Sequence, residues 1–131
     1  MKRFITTLIM LSLFIFLGCS RAADTTKNNE VVPGIPVKDT VTLVDLGAKT
    51  CIPCKLMAPI LEELRKEYKG RAEVIFIDVW DQANEGKARD FKVLTIPTQI
   101  FYDKQGEEVY RHIGFLDKKS MVAKLEELLA L

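Results

Sequence analysis

Short runs of almost continuously apolar residues alternate along the chain with longer stretches in which apolar residues recur every three or four positions. Residues 40–46 and 73–79 are apolar and β-branched, which predicts two strands buried on both faces. Between them, residues 54–69 have the period of an amphipathic helix, in which Pro59 should cause a kink. A strand, a helix and a strand in this order predict a right-handed parallel unit. The apolar stripe of the helix consists of Leu56, Met57, Ile60, Leu61, Leu64 and Tyr68.

The second half of the chain predicts a short helix and then a hairpin. Residues 84–91 have only a weak helical pattern, because Gly86 interrupts them. Residues 98–102 and 108–113 have the composition of strands and lie on either side of a turn signal at residues 103–106. The chain is therefore expected to turn back on itself there and to pair these two strands.

A last helix is predicted over residues 117–131, where Asp117 is typical of an N-cap. The order of elements is then β-α-β-α-β-β-α. This order predicts an α/β fold with a four-stranded mixed sheet flanked by helices on both faces. Residues 31–37, which Pro33 and Pro36 interrupt, are the source of an alternative with a fifth, short edge strand.

The first eighteen residues have the pattern of an export signal rather than of a folded segment. Lys2 and Arg3 precede residues 4–17, of which eleven are apolar and none is charged. Fourteen residues are short for a helix that spans a bilayer, which needs about 20. An uncleaved anchor and a buried core helix are the alternatives, but a core helix would show a polar face.

The end of this segment resembles a bacterial lipoprotein signal, in which cleavage precedes a cysteine that becomes lipidated. Leu17, Gly18 and Cys19 fit that pattern, whereas Phe16 stands where leucine is usual. The resemblance implies that Cys19 carries a lipid anchor in the membrane. An ordinary cleavage site is the alternative, but it would leave an odd thiol in an oxidising compartment.

The chain then divides into a signal peptide over residues 1–18, a polar tether over 19–39 and one globular domain over 40–131. We expect the domain to be exported and held at a membrane, facing the periplasm or the cell exterior. The 19 Lys and Arg residues balance 18 Asp and Glu residues, which argues against binding to nucleic acid. A monomer is expected.

Two cysteines lie between the first predicted strand and the first predicted helix, in the sequence Cys51-Ile52-Pro53-Cys54. A thiol just before a helix meets free backbone N–H groups and the positive end of the helix dipole. Both stabilise the thiolate, which is the nucleophile in disulfide exchange. The spacing also lets Cys54 reach back to Cys51 and close a small ring.

Two other interpretations of this cysteine pair are weaker. A zinc site needs four ligands, and besides the pair the domain offers only His112, so that a dimer would have to complete the site. An inert buried disulfide is the second alternative. We therefore favour redox chemistry that uses no metal and no organic cofactor.

Four motifs in the same order resemble the thioredoxin family over residues 41–131. The first motif is similar to the end of the family's central strand, which carries a buried carboxylate. The second is similar to the active-site helix with its kinking proline, the third to the loop that holds a cis proline, and the fourth to the closing hairpin. In this chain the motifs are Val44-Asp45, Cys51-Ile-Pro-Cys-Lys-Leu-Met-Ala-Pro59, Ile96-Pro97-Thr98 and the stretch from Asp103 to Gly114.

This resemblance implies a thioredoxin-like fold and thiol–disulfide oxidoreductase activity on protein or peptide disulfides. Cys51 would attack the substrate disulfide, and Cys54 would resolve the mixed disulfide. Asp45, a buried carboxyl group whose pKa should be raised, would relay a proton for Cys54. The positions that would bind substrate are Thr50, Ile52, Pro53, Ile96, Pro97 and Gly114.

Three positions depart from the family pattern. Thr50 replaces a tryptophan and Ile52 replaces a glycine, which changes the surface beside the nucleophile. The lysine that neighbours the buried carboxylate in many thioredoxins is absent, since the next strand offers Phe76 and Ile77. Substrate choice is therefore not inherited from general thioredoxins.

Several large side chains outside the motifs have predicted places. Trp80 and Phe91 are expected in the core, and Met57 and Met121 fit the apolar stripes of their helices. His112 lies in the hairpin, away from the cysteines, and is expected to be structural or exposed.

The function that we favour is a membrane-tethered reductase for disulfides of exported proteins, supplied with electrons by a thiol–disulfide partner in the membrane. The Ile52-Pro53 dipeptide lacks the histidine that favours the reduced form in strongly oxidising relatives. An oxidase or isomerase is the alternative within the same chemistry. A tethered binding or chaperone module that uses the groove at Pro97 is the non-catalytic alternative, although it would have no need of Cys54.

Overall fold

A computed structural model of the protein describes residues 34–131. The predicted signal peptide, Cys19 and the tether up to residue 33 lie outside the described residues, so these predictions stay predictions. The elements are β1 (Val41–Gly47), α1 (Ile52–Glu67), β2 (Ala72–Asp78), α2 (Lys87–Asp90), β3 (Thr98–Tyr102), β4 (Glu108–Ile113) and α3 (Lys118–Leu129). No helix within residues 34–131 combines the length and the apolar character needed to cross a membrane.

The four strands form one mixed sheet in the order β2-β1-β3-β4. Strand β1 pairs parallel with β2 and antiparallel with β3, and β3 pairs antiparallel with β4. The predicted four-stranded mixed sheet is therefore confirmed. Residues 34–37 form no strand and include a cis Ile35–Pro36 bond, so the described part of the proposed fifth strand is not one.

Strand β1 is central, and all seven of its residues are buried, as the apolar run predicts. The same prediction is wrong for β2, which is only partly buried because it is an edge strand of the sheet. Helices α1 and α3 cover one face of the sheet, where Met57, Leu64 and Leu125 pack with Phe101 of β3. Phe91 and Val93, which follow α2, cover the other face together with Ile35. The sheet thus has a packed layer on each side.

Helix α1 is fastened to α3 at the end that is distant from the cysteines. Tyr68 donates a hydrogen bond from its hydroxyl to Glu126 at 2.8 Å, and burial raises the pKa of Tyr68 to about 12. Lys118 pairs with Glu63 at 2.9 Å and with Glu67 at 2.6 Å. Each of these exposed ion pairs contributes little to the free energy of unfolding. Together with the Tyr68 hydrogen bond, they join the C-terminal end of α1 to α3.

Most local signals in the sequence give the observed element. The carboxylate of Asp117 accepts a hydrogen bond from the backbone N–H of Ser120 at 3.0 Å, so this residue is the N-cap of α3. Met57 and Met121 are fully buried, and Phe91 packs against the core, as predicted. The weak helix is shorter than predicted, because Gly86 has a φ of 89° and ends the preceding turn.

Two large apolar residues are exposed, although the sequence predicts Leu56 on the apolar stripe of α1 and Trp80 in the core. Leu56 is 61% exposed, because it lies about 100° around the helix from the buried Met57. Trp80 is 66% exposed, because it follows the end of β2 in a tight turn closed by a hydrogen bond between Asp81 and Asp78. Trp80 instead stands at the edge of the sheet that holds the cysteines, and Leu56 lies in the second turn of the helix that begins there.

Candidate active site

The sheet topology brings the predicted site residues to one edge. The carboxyl ends of β1 and β2 lie at this edge because the two strands are parallel, and the start of β3 lies there because it is antiparallel to β1. The cysteine pair follows β1, Ile96-Pro97 precedes β3 and Gly114 follows β4. Segments that are distant in the sequence therefore meet around the disulfide.

Cys51 and Cys54 form a disulfide, with their Cα atoms 5.3 Å apart. Cys51 is the N-cap of α1, and its sulfur accepts a hydrogen bond from the backbone N–H of Cys54 at 3.4 Å. In the reduced protein, this N–H and the helix dipole favour a thiolate at Cys51. Cys51 is also partly exposed, whereas Cys54 is only 3% exposed, so the two sulfurs differ in access.

A loop with a cis peptide bond lies at the start of β3. The Ile96–Pro97 bond is cis, as the family resemblance implies. The carbonyl oxygen of Pro97 accepts a hydrogen bond from the N–H of Gly114 at 2.8 Å. Gly114 has a φ of 101°, which favours glycine. Two of the predicted substrate-binding positions are thus held directly against each other.

Exposed apolar side chains surround this edge. Of nine large apolar residues that are exposed within residues 34–131, six lie on the loops at this edge, at the end of β4 or in the first two turns of α1. We call these six residues the apolar rim: Ile52, Leu56, Trp80, Leu94, Ile113 and Phe115. Apolar surface concentrated at one place marks an interaction site. The exposed Thr50 and Pro53 and the partly exposed Ile96 lie among the same loops.

Asp45 is a fully buried carboxyl group on the central strand, on the face that α1 covers. It stands opposite Gln99 of β3 and Phe76 of β2 in the strand register. Gln99 donates a hydrogen bond from Nε2 to Oδ1 of Asp45 at 2.7 Å. Burial raises the pKa of Asp45 to about 6, and this hydrogen bond opposes part of that increase.

Gly47 leaves room for the buried sulfur. A Cβ atom at this position would lie 3.0 Å from Cε2 of Phe76 and 3.2 Å from Sγ of Cys54. Any larger residue would therefore have to displace the aromatic ring or the sulfur. Gly47 and Phe76 together define the packing around Cys54.

The loop that leads into Cys51 is held by the end of the neighbouring strand. The carboxylate of Asp78 accepts hydrogen bonds from the backbone N–H of Lys49 at 3.4 Å and of Trp80 at 3.1 Å. Asp78 thus links residues 48–50 to the turn that exposes Trp80. This link holds the turn that contains the exposed Trp80 next to the loop that leads into Cys51.

Sequence reasoning missed Gln99, Gly47 and Asp78. Of these, only Gln99 carries a signal in the sequence, because a long polar side chain interrupts an apolar strand and must find a partner. The roles of Gly47 and Asp78 depend on contacts between separate elements, which local sequence patterns do not reveal.

The zinc alternative lacks a set of ligands in the described part of the chain. No three His, Cys, Asp or Glu side chains within residues 34–131 are arranged to hold a metal ion. Nε2 of His112 lies 3.2 Å from the carbonyl oxygen of Phe115, in the segment after β4. This contact agrees with a structural place for His112.

A mixed sheet that carries a Cys-X-X-Cys disulfide at a helix start, beside a loop with a cis proline, defines a class of thiol–disulfide oxidoreductases. The family model for thioredoxin matches residues 22–127. The chain therefore belongs to the thioredoxin family, and it is a thiol–disulfide oxidoreductase with a Cys51–Cys54 redox pair.

Curated relatives and solved structures agree with this assignment. The chain is 40% identical over 91 residues to thioredoxin of Staphylococcus saprophyticus, covering 70% of this chain and 85% of the relative. It is 39% identical to thioredoxin of Staphylococcus aureus over the same share of both chains. The fold matches chloroplastic thioredoxin z with a TM-score of 0.62 and 29% identity, covering 71% of this chain and 81% of that one. It also matches the exposed lipoprotein thioredoxin of Streptococcus pneumoniae with a TM-score of 0.61 and 25% identity, over 70% and 87% of the chains.

Substitution of Asp45 by asparagine should stabilise the oxidised protein at neutral pH. Folding raises the pKa of this carboxyl group from 3.8 to about 6. Below pH 3.8 the carboxyl group is protonated in both states and does not reduce the free energy of unfolding. As the pH rises through 6, the buried group becomes charged and this part of the stability is lost. Asp45→Asn should increase the free energy of unfolding by up to about 3 kcal/mol above pH 7. Urea unfolding at a series of pH values measures this difference, which should vanish near pH 4.

The matched control is Asp90→Asn, which removes an equal charge at an exposed position. Its effect should stay within about 0.5 kcal/mol at every pH. Equal effects of the two substitutions across the pH series would show that burial of Asp45 imposes no penalty on its charged form.

Proposed function

We propose that this protein is a membrane-tethered reductase that acts outside the cytoplasm on disulfides of exported proteins, with Cys51 as nucleophile and Cys54 as resolving thiol. The observation that carries this assignment of roles is the difference between the two sulfurs. Cys51 is partly exposed and accepts a backbone hydrogen bond at the helix start, whereas Cys54 is buried one turn further on. The accessible sulfur is the one whose thiolate is stabilised.

The reaction takes two exchange steps. The Cys51 thiolate attacks one sulfur of the substrate disulfide, forms a mixed disulfide and releases a substrate thiolate, which takes a proton from solvent. Cys54 then gives its proton to Asp45 and attacks the Cys51 sulfur, which releases the second substrate thiolate. This thiolate also takes a proton from solvent, and Asp45 returns its proton to solvent. The substrate disulfide is reduced to two thiols, and the two cysteines are oxidised to their disulfide.

The surface around the disulfide favours a protein segment as substrate rather than a small polar disulfide. The backbone beside the partly exposed Ile96 offers a place where an extended peptide can pair, next to the buried Pro97, with Gly114 leaving space for it. The apolar rim adds surface for side chains of the substrate. We expect the exposed Thr50, Ile52 and Pro53 to contact the same substrate segment from the side of the cysteines.

A reductase needs a source of electrons, because each cycle leaves a Cys51–Cys54 disulfide. For a tethered protein, we propose a thiol–disulfide partner in the same membrane. Ile52 and Pro53 contain no imidazole or charge that would further stabilise the reduced form, which argues for a reducing rather than a strongly oxidising protein.

The proposed tether depends on residues outside the described part of the chain. Leu17, Gly18 and Cys19 fit a lipoprotein signal, and the polar residues that follow suit a flexible link. The similarity to an exposed lipoprotein thioredoxin of Streptococcus pneumoniae supports this localisation.

The two cysteines should behave asymmetrically in the reduced protein. At neutral pH, alkylation should modify Cys51 much faster than Cys54, because Cys51 is more accessible and its thiolate is stabilised. Cys54→Ala should accumulate mixed disulfides with partner proteins, whereas the matched Cys51→Ala variant should trap few. Peptide mapping and non-reducing gels measure both effects, and insulin reduction should require both cysteines. Faster labelling of Cys54 would reverse the assigned roles, and activity in either variant would contradict the dithiol mechanism.

The potential of the cysteine pair should lie at about −200 to −270 mV, in the reducing range of the family. The absence of a histidine between the cysteines is the physical reason. Equilibration with glutathione buffers of known potential provides the measurement. A value more positive than about −150 mV would instead assign the protein to the oxidases.

Substitution of Cys19 should release the protein from the membrane. In the full chain expressed in bacteria, Cys19→Ala should be soluble or unprocessed and should lack the acyl mass at its N-terminus, because the acylated thiol is gone. Fractionation and mass spectrometry measure this, with Ser20→Ala as the control that stays attached. If Cys19→Ala remains in the membrane unchanged, the anchor is the apolar segment over residues 4–17.

A further inference from the structure

Gln99 is the side chain that directly contacts the buried carboxyl group. Its Nε2 donates to Oδ1 of Asp45 at 2.7 Å, and the same nitrogen lies 3.3 Å from Sδ of Met57. Both Asp45 and Gln99 are fully buried and face each other across the β1–β3 pairing. Gln99 therefore joins Asp45 to the helix that carries Cys54.

The surroundings of Asp45 contain few groups that could affect its charge. Phe76 of β2 and Gln99 of β3 stand opposite Asp45 in the strand register, and Met57 of α1 contacts Gln99. The sulfur of Cys54 lies beside Gly47, two residues further along the same strand as Asp45. Of these four residues only Cys54 has a titratable group, and only when the disulfide is reduced. Within the described residues, no cationic side chain pairs with Asp45. Among the described side chains, the neutral amide of Gln99 is thus the hydrogen-bond partner of this carboxyl group.

Two buried oxygens of this pair are unpartnered. Oδ2 of Asp45 and Oε1 of Gln99 make no hydrogen bond to any atom of residues 34–131. Buried polar atoms in native proteins usually have a partner, so such a pair needs an explanation. An amide has both donor and acceptor atoms, whereas a carboxyl group changes from acceptor to donor when it takes a proton.

We propose that Gln99 is a positioning residue for the resolving step, which holds Asp45 through a hydrogen bond in both of its protonation states. Nε2 donates to the charged carboxylate, as the structure shows. When Asp45 takes the proton of Cys54, the amide turns over, and Oε1 accepts a hydrogen bond from the protonated carboxyl group. This inference rests on the proposed role of Asp45 as proton acceptor, and it assigns the residue that adjusts that role.

Removal of the amide should shift the pH dependence of the reaction. Gln99→Leu removes the donor to the charged carboxylate, so that the pKa of Asp45 rises further and the base form requires a higher pH. In single turnovers of the reduced protein with a peptide disulfide, we expect release of the second thiol to be about fivefold slower than in the wild type at pH 6. The two rates should nearly coincide above pH 8. A carbon-13 NMR titration of the Asp45 carboxyl group should show the same upward displacement of its midpoint.

The control is Thr42→Val, which removes a buried hydroxyl from the opposite face of β1 at the other end of the strand. It should lower stability without changing the pH profile or the titration of Asp45. Gln99→Met, which keeps the unbranched shape of the side chain, replaces Gln99→Leu if the latter does not fold.

Asp45→Asn separates this inference from the proposed function. If Asp45→Asn does not slow release of the second thiol, the proton-acceptor role fails. If Asp45→Asn slows it but Gln99→Leu leaves the pH profile and the titration unchanged, the acceptor role stands and the role of Gln99 is overturned. If both assignments are correct, Gln99→Leu in the Asp45→Asn background should cause no further pH-dependent change.

Discussion

The burial of strand β1 on both faces is the constraint on which the rest of the site depends. With a strand on each side and a packed layer over each face, every residue of this strand is excluded from water. A carboxyl group in such a place has few partners and cannot be hydrated, so its proton affinity must increase. The same packing presses α1 against the strand and places the buried Cys54 beside Gly47. The burial of Cys54 and the raised pKa of Asp45 thus both follow from the packing around β1.

The three residues that surround Cys54 and Asp45, namely Gly47, Phe76 and Gln99, depend on one another. The aromatic ring of Phe76 fills the space that a side chain at position 47 would need, and Gly47 provides that space. Because Phe76 brings no charge to Asp45, the remaining polar contact comes from the opposite strand, where Gln99 stands in register. A change at any one of the three positions would alter the surroundings of the other two. Their effects should accordingly not be additive.

Residues with strong local signals could be placed from the sequence, whereas residues that depend on strand register could not. The apolar run of β1, the helical period of α1 and the N-cap at Asp117 are each contained within a few neighbouring residues, and they give the observed elements. The contact between Asp45 and Gln99 joins positions 54 residues apart, and it appears only when the register of β1 and β3 is known. The prediction that Trp80 lies in the core is wrong for a related reason. Trp80 follows the end of a strand, and the sequence pattern does not show which element would cover its side chain.

Asp45 has no cationic partner within residues 34–131, and this also bears on how the site can work. A cation in contact with a buried carboxylate lowers its pKa strongly and holds it in the charged form. A neutral amide stabilises the charged form less, so that burial still dominates and the pKa stays near 6. A group of this kind can both take and return a proton near neutral pH, which is the condition for efficient proton transfer. The choice of glutamine at position 99 is therefore consistent with a carboxyl group whose charge changes during each cycle, whereas a permanent ion pair would oppose that change.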